Sequence, residues 1–570
     1  MKNSTKMRFL ALILALITLF STACKAKPDG NIKETESETQ GQTEIQTPSQ
    51  TDELTGSQTT NQTSDQTSDQ TTENTEDETS KHPEDVTTEQ TTDQVQDGTC
   101  NNHLDVDDNG YCDSCNDVVI VYIDFYAIND LHGKFSDTDS QPGVDELTTY
   151  LEQARKKNPN SIFLSSGDMW QGSPESNLTS GAMITEWMNR IGVSAMTLGN
   201  HEFDWGEDAV IANSAIASFP FLAINIYDRD TNKRVDYCES SVVVELNGVT
   251  VGIIGAIGDC YSSIAPDKVE DIYFKTGSAL TELVKAESTR LRESGVDIIV
   301  YSIHDGGTAA DSIASGSSYY DIALSKGYVD IVFEGHSHKS YVKVDGNGIY
   351  HVQGGGDNDG ITYARAKYNL ANNNKAVLDA KFISTNEYKS LDDSPIINEL
   401  LDKYKDEIAA GDEVLGQTTS RRTSNFLRNL VAQLYYEKGV ELWGDKYDIV
   451  LGGGYLSVRS PYELQRGDIR YGDLYSIFPF DNNLVLCSIK GSDLQSRFFN
   501  TTNSNYFIYY DTYGQEVKYN LDRNKTYYII VDSYSSSYAP NRLTEVARLD
   551  EPIYARDLLA EYIRQGGLSH

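Results

Sequence analysis

Five apolar runs rich in β-branched residues punctuate the middle of the chain, at residues 118–128, 161–164, 195–198, 296–303 and 329–333. Their length and composition predict strands. Each is followed at once by a short segment of ligand-type side chains: Asp130-Leu131-His132-Gly133, Gly167-Asp168, Gly199-Asn200-His201-Glu202-Phe203-Asp204, His304-Asp305, and Gly335-His336-Ser337-His338. In an α/β sheet, loops at the carboxyl ends of the strands converge on one crevice, so these distant groups are expected to meet. After Thr385 the pattern changes to Ile396-Ile397-x2-Leu400-Leu401-x2-Tyr404, which predicts one amphipathic helix followed by Gly411. We read residues 389–412 as a connector between a first domain at 118–388 and a second at 413–570.

The amino terminus has a different pattern. Lys2, Lys6 and Arg8 precede an apolar run at residues 9–20, which is shorter than the roughly 20 residues a helix needs to cross a bilayer and reads as an export signal. Ser21-Thr22-Ala23-Cys24 follows and resembles the lipobox of bacterial lipoproteins, with Ser21 where Leu is usual. That resemblance implies lipidation of Cys24, a membrane anchor and a place at the cell surface; simple secretion after cleavage is the alternative. Residues 25–99 turn abruptly to Thr, Gln, Ser, Asp and Glu without an aromatic residue. Such a composition buries too little apolar surface to offset its ordering entropy and predicts a disordered tether.

Charge adds one exclusion. The chain of 570 residues carries a formal net charge of −39, of which the tether's 18 acids and 4 lysines contribute −14. This sign, without a Lys/Arg stripe, argues against nucleic-acid binding. Of the seven cysteines, Cys100, Cys112 and Cys115 join His103 in a C-x2-H-x8-C-x2-C array at 100–117, which suits a structural zinc, with a disulfide as the alternative. The same stretch begins like a calcium loop at Asp105, but Asn116 stands where the distal acid belongs. Cys238, Cys260 and Cys487 are expected as buried thiols, with a Cys238–Cys260 disulfide as the alternative.

The ligand set behind the strands mixes carboxylate, imidazole and one amide, which favours borderline divalent ions such as zinc, manganese, iron or cobalt. Seven ligands exceed one tetrahedral ion and suit a pair sharing a bridging carboxylate, an arrangement that recurs in phosphatases. Asp168 is the expected bridge. Asp130, His132 and His338 would complete one ion, and Asn200, His304 and His336 the other.

D-x-H-G, G-D, G-N-H-E-F-D, H and G-H-S-H resemble the signature of the calcineurin-like metallophosphoesterases, and the run from Gly167 to Gly206 is similar to their 5'-nucleotidase branch. The resemblance implies a four-layer α/β/β/α catalytic domain followed by a smaller α+β domain that supplies a nucleoside pocket. It also implies a catalytic dyad, with His201 stabilising the phosphoryl transition state or protonating the leaving group and Asp204 orienting it. By the same resemblance, Phe480 and Tyr534 would stack on a base, with Asn482 beside them and Arg422 reaching ribose or phosphate. The chain departs from the pattern in two places. Leu451 precedes the triple glycine, with Arg459 beyond a longer passage, and Ser537-Tyr538-Ala539-Pro540-Asn541 stands where the family has Gly-Gly-Asp-Gly. The expected activity is phosphate release from nucleoside 5'-monophosphates; nucleotide-sugar or 2',3'-cyclic-nucleotide hydrolysis is the alternative, and a non-catalytic surface binding protein the rival of another class. Because the tether carries no site residue, deleting residues 25–99 is expected to leave kcat/KM unchanged in a phosphate-release assay. A large fall would show that the segment takes part in catalysis.

Overall fold

The computed structural model describes residues 106, 109–137, 142–306, 327–456, 458–459, 463–537 and 543–569. The export signal, Cys24, the tether, Cys100 and His103 lie outside the described residues, so the zinc array is represented by Cys112, which is buried, and Cys115 alone.

The predicted strands form as Ile120–Ile128, Ser161–Ser165, Ala195–Thr197, Ile298–His304 and Ile331–Glu334. The first three belong to a six-stranded sheet ordered Asn374–Ser384, Gly360–Asn369, Ile120–Ile128, Ser161–Ser165, Ala195–Thr197, Phe221–Leu222. The other two belong to a second six-stranded sheet ordered Tyr341–Val344, Tyr350–Gln353, Ile331–Glu334, Ile298–His304, Val249–Ile257, Ser241–Leu246.

Strand parity explains why these runs are continuously apolar. Successive side chains point to opposite faces. Val121, Ile123, Phe125 and Ala127 enter the layer between the two sheets, whereas Tyr126 and Ile128 face helices Asp145–Lys157 and Ala182–Ile191. In the second sheet Ile298 and Val300 face the first, and Ile299, Tyr301 and Ile303 pack on helix Ser278–Glu293 through Leu280, Val284 and Leu291. Strands covered on both faces lose their polar alternation. The result is the four-layer α/β/β/α domain.

The second domain is built on a five-stranded sheet ordered Tyr506–Tyr509, Ile449–Tyr455, Thr526–Asp532, Leu484–Lys490, Thr544–Arg548. Helix Ser424–Trp443, capped by the Thr423 side chain, covers one face through Leu427, Val431 and Leu434. The expected connector helix forms within residues 389–412. It runs Pro395–Lys403, with Ser394 as N-cap, and breaks at Tyr404 before a short helix Lys405–Ile408. Ile397 and Leu400 are buried in the first domain's core, which ties the connector to that domain.

Cys238, Cys260 and Cys487 are buried thiols. The Cys238–Cys260 disulfide is overturned: Cys238 donates to the Ala223 carbonyl at 3.6 Å, and Cys260 to that of His304 at 2.8 Å. Phe333 meets Phe125 across the two sheets with ring centroids 6.2 Å apart, and both are fully buried. Phe333→Ala is therefore expected to destabilise the catalytic domain by about 3–5 kcal/mol in denaturant unfolding. A loss under about 1 kcal/mol would mean that the sheets close over the gap.

Candidate metal centre

The strand ends place their polar groups on one rim because the backbone turns sharply there. Asp130, His132, Asp168, His336 and His338 have φ of 50°, 51°, 56°, 77° and 56°, in the left-handed region. Such residues each cost on the order of 1 kcal/mol or more, and clusters of them mark sites where surrounding structure enforces the conformation. The loops are laced to one another. Asp130 N donates to Gly167 O at 2.9 Å, His132 N to Asp168 O at 3.1 Å, and His336 N to the Asp130 carboxylate at 2.8 Å. At Gly199 a Cβ would lie 2.3 Å from Asp168 Oδ1, so only glycine lets this strand end approach the carboxylate.

Two imidazoles are aimed by their far nitrogens. His132 Nδ1 donates to the Gln171 carbonyl at 3.1 Å and His304 Nδ1 to that of Ser166 at 2.6 Å, since a carbonyl can only accept. Their Nε2 atoms are thereby turned into the crevice as lone-pair donors, the orientation that metal-ligating histidines take. His132 Nε2 stands 2.9 Å from His338 Nε2, and His304 Nε2 3.0 Å from Asp168 Oδ2. Asp130 Oδ1 lies 3.5 Å from His338.

Donor atoms of Asp130, His132 and His338 fall within 4.8 Å of one another, as do those of Asp130, Asp168 and His304, and those of Cys260, His304 and His336. Asn200 Oδ1 and His304 Nε2 are buried without a hydrogen-bond partner among the described residues, the latter because it is close to Asp168 Oδ2 but out of line for a bond. Buried acceptors left in this way need a partner that the protein does not supply. The donor set and its orphaned atoms fit divalent cations, and Asp130 is common to the group with His132 and His338 and to the group with Asp168 and His304.

Glu202 holds this arrangement from below. Fully buried, it accepts from Asp168 N at 2.9 Å, Met169 N at 2.8 Å and Gly199 N at 2.6 Å, joining two ligand loops. Burial and then the Asp168 charge push its pKa up to about 7. Asp168 is also desolvated, but the His304 and His201 imidazoles outweigh burial and hold its carboxyl well below the ordinary range.

His201 and Asp204 form the expected pair, with Nδ1 2.8 Å from Oδ2. Burial lowers the imidazole pKa, but Asp204 and Asp168 together raise it above its ordinary value. A cleft of about 210 Å³ opens beside them, bounded by Asn200, His201 and His336 on one wall and by Phe480, Asn482 and Tyr534 on the other. The His201 and Phe480 ring centroids are 5.9 Å apart.

Arg422 is a correction. Its guanidinium is bonded to Thr418 Oγ1 at 3.1 Å and to the Leu568 carbonyl at 3.3 Å, away from the cleft, because its backbone bridges to Leu464 and commits the side chain to the carboxy-terminal segment. Arg459 reaches the site instead. It is buried, bonds Gln171 with its guanidinium, and lies 5.9 Å from the Phe480 ring. Sequence reading located Arg459 past the triple glycine without giving it a role; the longer passage concealed where it returns. Cys260, expected as a buried thiol, also places its sulfur within 4.8 Å of ring nitrogens of His304 and His336, which no local motif signals. If Asp168 bridges two ions, as the sequence leads one to expect, Asp168→Asn should reduce metal content in elemental analysis and abolish hydrolysis. Full metal content with full activity would refute the bridging role.

A model of the calcineurin-like phosphoesterases matches residues 123–340, and a model of the 5'-nucleotidase C-terminal domain matches residues 408–553. The chain is 27% identical over 417 residues to Protein UshA of Yersinia enterocolitica, covering 64% of this chain and 74% of that protein. It is 24% identical over 491 residues to a 5'-nucleotidase of Diplobatis ommata, covering 77% and 81%. The fold is similar to the crystal structure of a 5'-nucleotidase precursor from Thermus thermophilus, with a TM-score of 0.59, 18% identity, and coverage of 78% of this chain and 96% of that one. With both domains matched in order, the chain belongs to the 5'-nucleotidase family of calcineurin-like metallophosphoesterases, metal-dependent hydrolases of phosphoric monoesters.

Proposed function

We propose that the protein is an exported, membrane-tethered hydrolase that uses two divalent ions to release phosphate from extracellular nucleoside 5'-monophosphates. The observation that carries this reading is the single cleft joining the donor cluster and the His201–Asp204 pair to the rings of Phe480 and Tyr534. A flat base between aromatic side chains, with its phosphate toward the donors, matches the polarity of the two walls. The names of the similar proteins from Diplobatis ommata and Thermus thermophilus support the same substrate class.

Two ions held by the seven donors would supply positive charge for the phosphate oxygens and a lowered pKa for water. The chain's own groups do the rest. Asp204 accepts from His201 Nδ1 and fixes the ring, leaving Nε2 for the substrate. The Asp204 and Asp168 carboxylates favour the protonated imidazole of His201, which suits a proton donor to the departing oxygen. Arg459, buried beside Gln171 and facing the Asp168, Asp204 and Asp130 charges, brings a fixed cation to the place where phosphate charge must be matched.

Phosphate release from AMP, UDP-glucose and 2',3'-cyclic AMP, measured with each of zinc, manganese and cobalt added, tests the reading. AMP is expected to be the best substrate; preference for either of the others would replace it. His201→Ala is expected to keep its metal content and lose about 100-fold or more in kcat. Loss of metal in that variant would make His201 a ligand and not the proton donor. Export and anchoring rest on the charged leader and Ser21-Thr22-Ala23-Cys24. With Cys24→Ala the protein is expected to leave the membrane fraction, and unchanged membrane association would refute lipidation at that residue.

A further inference from the structure

We propose that Cys260 is an eighth donor of the metal centre, a sulfur ligand that joins His304 and His336 at the second ion position. The inference rests on the metal centre and does not depend on which nucleotide is hydrolysed. Cys260 lies in the turn Asp259–Ser263, directly after strand Val249–Ile257. That strand pairs in parallel with Ile298–His304, with Ile257 opposite His304. Gly258 N donates to His304 O at 3.0 Å, and the Cys260 thiol touches the same carbonyl at 2.8 Å. The thiol is thus fixed beside His304 by sheet register and not by a flexible loop.

Its sulfur and one ring nitrogen each of His304 and His336 lie within 4.8 Å of one another. Around a tetrahedral zinc, with metal–sulfur near 2.3 Å and metal–nitrogen near 2.0–2.1 Å, such atoms are separated by about 3.5 Å. The 4.8 Å limit therefore exceeds that separation by about 1.3 Å at most. A second observation points the same way. His304 is fully buried, and its Nε2 has no hydrogen-bond partner among the described residues. A purely structural thiol packs among apolar groups. Cys260, 4% exposed, belongs to the apolar core of the first domain and also stands within reach of two imidazoles.

A thiolate ligand shifts preference from manganese toward zinc and cobalt. On binding, the S–H proton passes to solvent as the metal–sulfur bond forms, so no oxidant or reductant is involved. Cobalt titration of the full-length protein under reducing conditions tests the assignment by optical absorption. The wild type should develop a near-ultraviolet sulfur-to-cobalt charge-transfer band, and Cys260→Ser should lose intensity while retaining cobalt. The zinc-over-manganese preference should fall by about 10- to 100-fold in the variant. Cys260→Ala, with circular dichroism, checks that any loss is not one of folding. A band of equal intensity in Cys260→Ser, as sulfur from Cys100, Cys112 and Cys115 would give, overturns the proposal. So does a wild type that takes up two cobalt ions without more sulfur absorption than the variants. Failure of the wild type to bind cobalt at the crevice would overturn the metal centre itself, which separates the two readings.

Discussion

Buried groups of like chemistry held against one another are the constraint on which the rest of this structure depends. Asp130, Asp168, His132 and His304 are each less than 2% exposed, and their neighbours are mainly other donors. Removing carboxylates from water costs several kcal/mol apiece unless charge or hydrogen bonds offset it. The protein supplies part of that offset from the backbone. Asn129 Nδ2 and His336 N serve Asp130, and His201 N serves Asp168 at 2.8 Å. What remains, Asn200 Oδ1 and His304 Nε2, is left for cations. Each ligand loop is secured by another ligand loop, so the centre assembles as one unit.

The two sheets are arranged to serve that rim. Their facing layers are largely apolar, with Thr197 Oγ1 donating to Ser302 Oγ across them at 2.7 Å, and the polar ends of the strands emerge together at one edge. Glu202 extends this logic to the Asp168 and Gly199 turns, where one carboxylate satisfies three amides that the left-handed backbone leaves without strand partners. A Glu in this buried place is structural in its contacts and yet adjacent to every step of the chemistry.

The second domain completes the cleft through a few contacts. Asn177 Nδ2 donates to the Pro479 carbonyl at 2.8 Å, Arg459 bonds Gln171, and Gln171 O also receives His132 Nδ1. The ring of Phe480 and the candidate ligand His132 are therefore linked through Arg459 and Gln171, the latter in the loop that follows Asp168. This coupling explains how a departure from the usual passage after the triple glycine is compatible with an arginine at the site. The longer passage changes the route by which Arg459 arrives, and Arg422 is committed elsewhere.

Much of the catalytic half was legible in the chain. A residue that must end a doubly covered strand and also hold an ion leaves a local mark, an apolar run broken by Asp, His, Asn and Gly, and the five such marks lie where the strands end. The pair was legible for the same reason, since only Glu202 and Phe203 lie between His201 and Asp204 and one turn joins them. The connector helix was legible too, since its apolar spacing ends at Tyr404, where the helix halts. Neither Arg459 nor Cys260 has a local mark. The first depends on how a second domain returns to the first, and the second on sheet register that pairs Ile257 with His304 across 47 residues. Sequence alone thus determined the two-layer sheet chemistry and the identity of the donors, because those requirements are local and repeat with the strand. Only the tertiary structure decided which cation reaches the phosphate side and which sulfur stands beside an imidazole, because proximity between distant segments is set by packing.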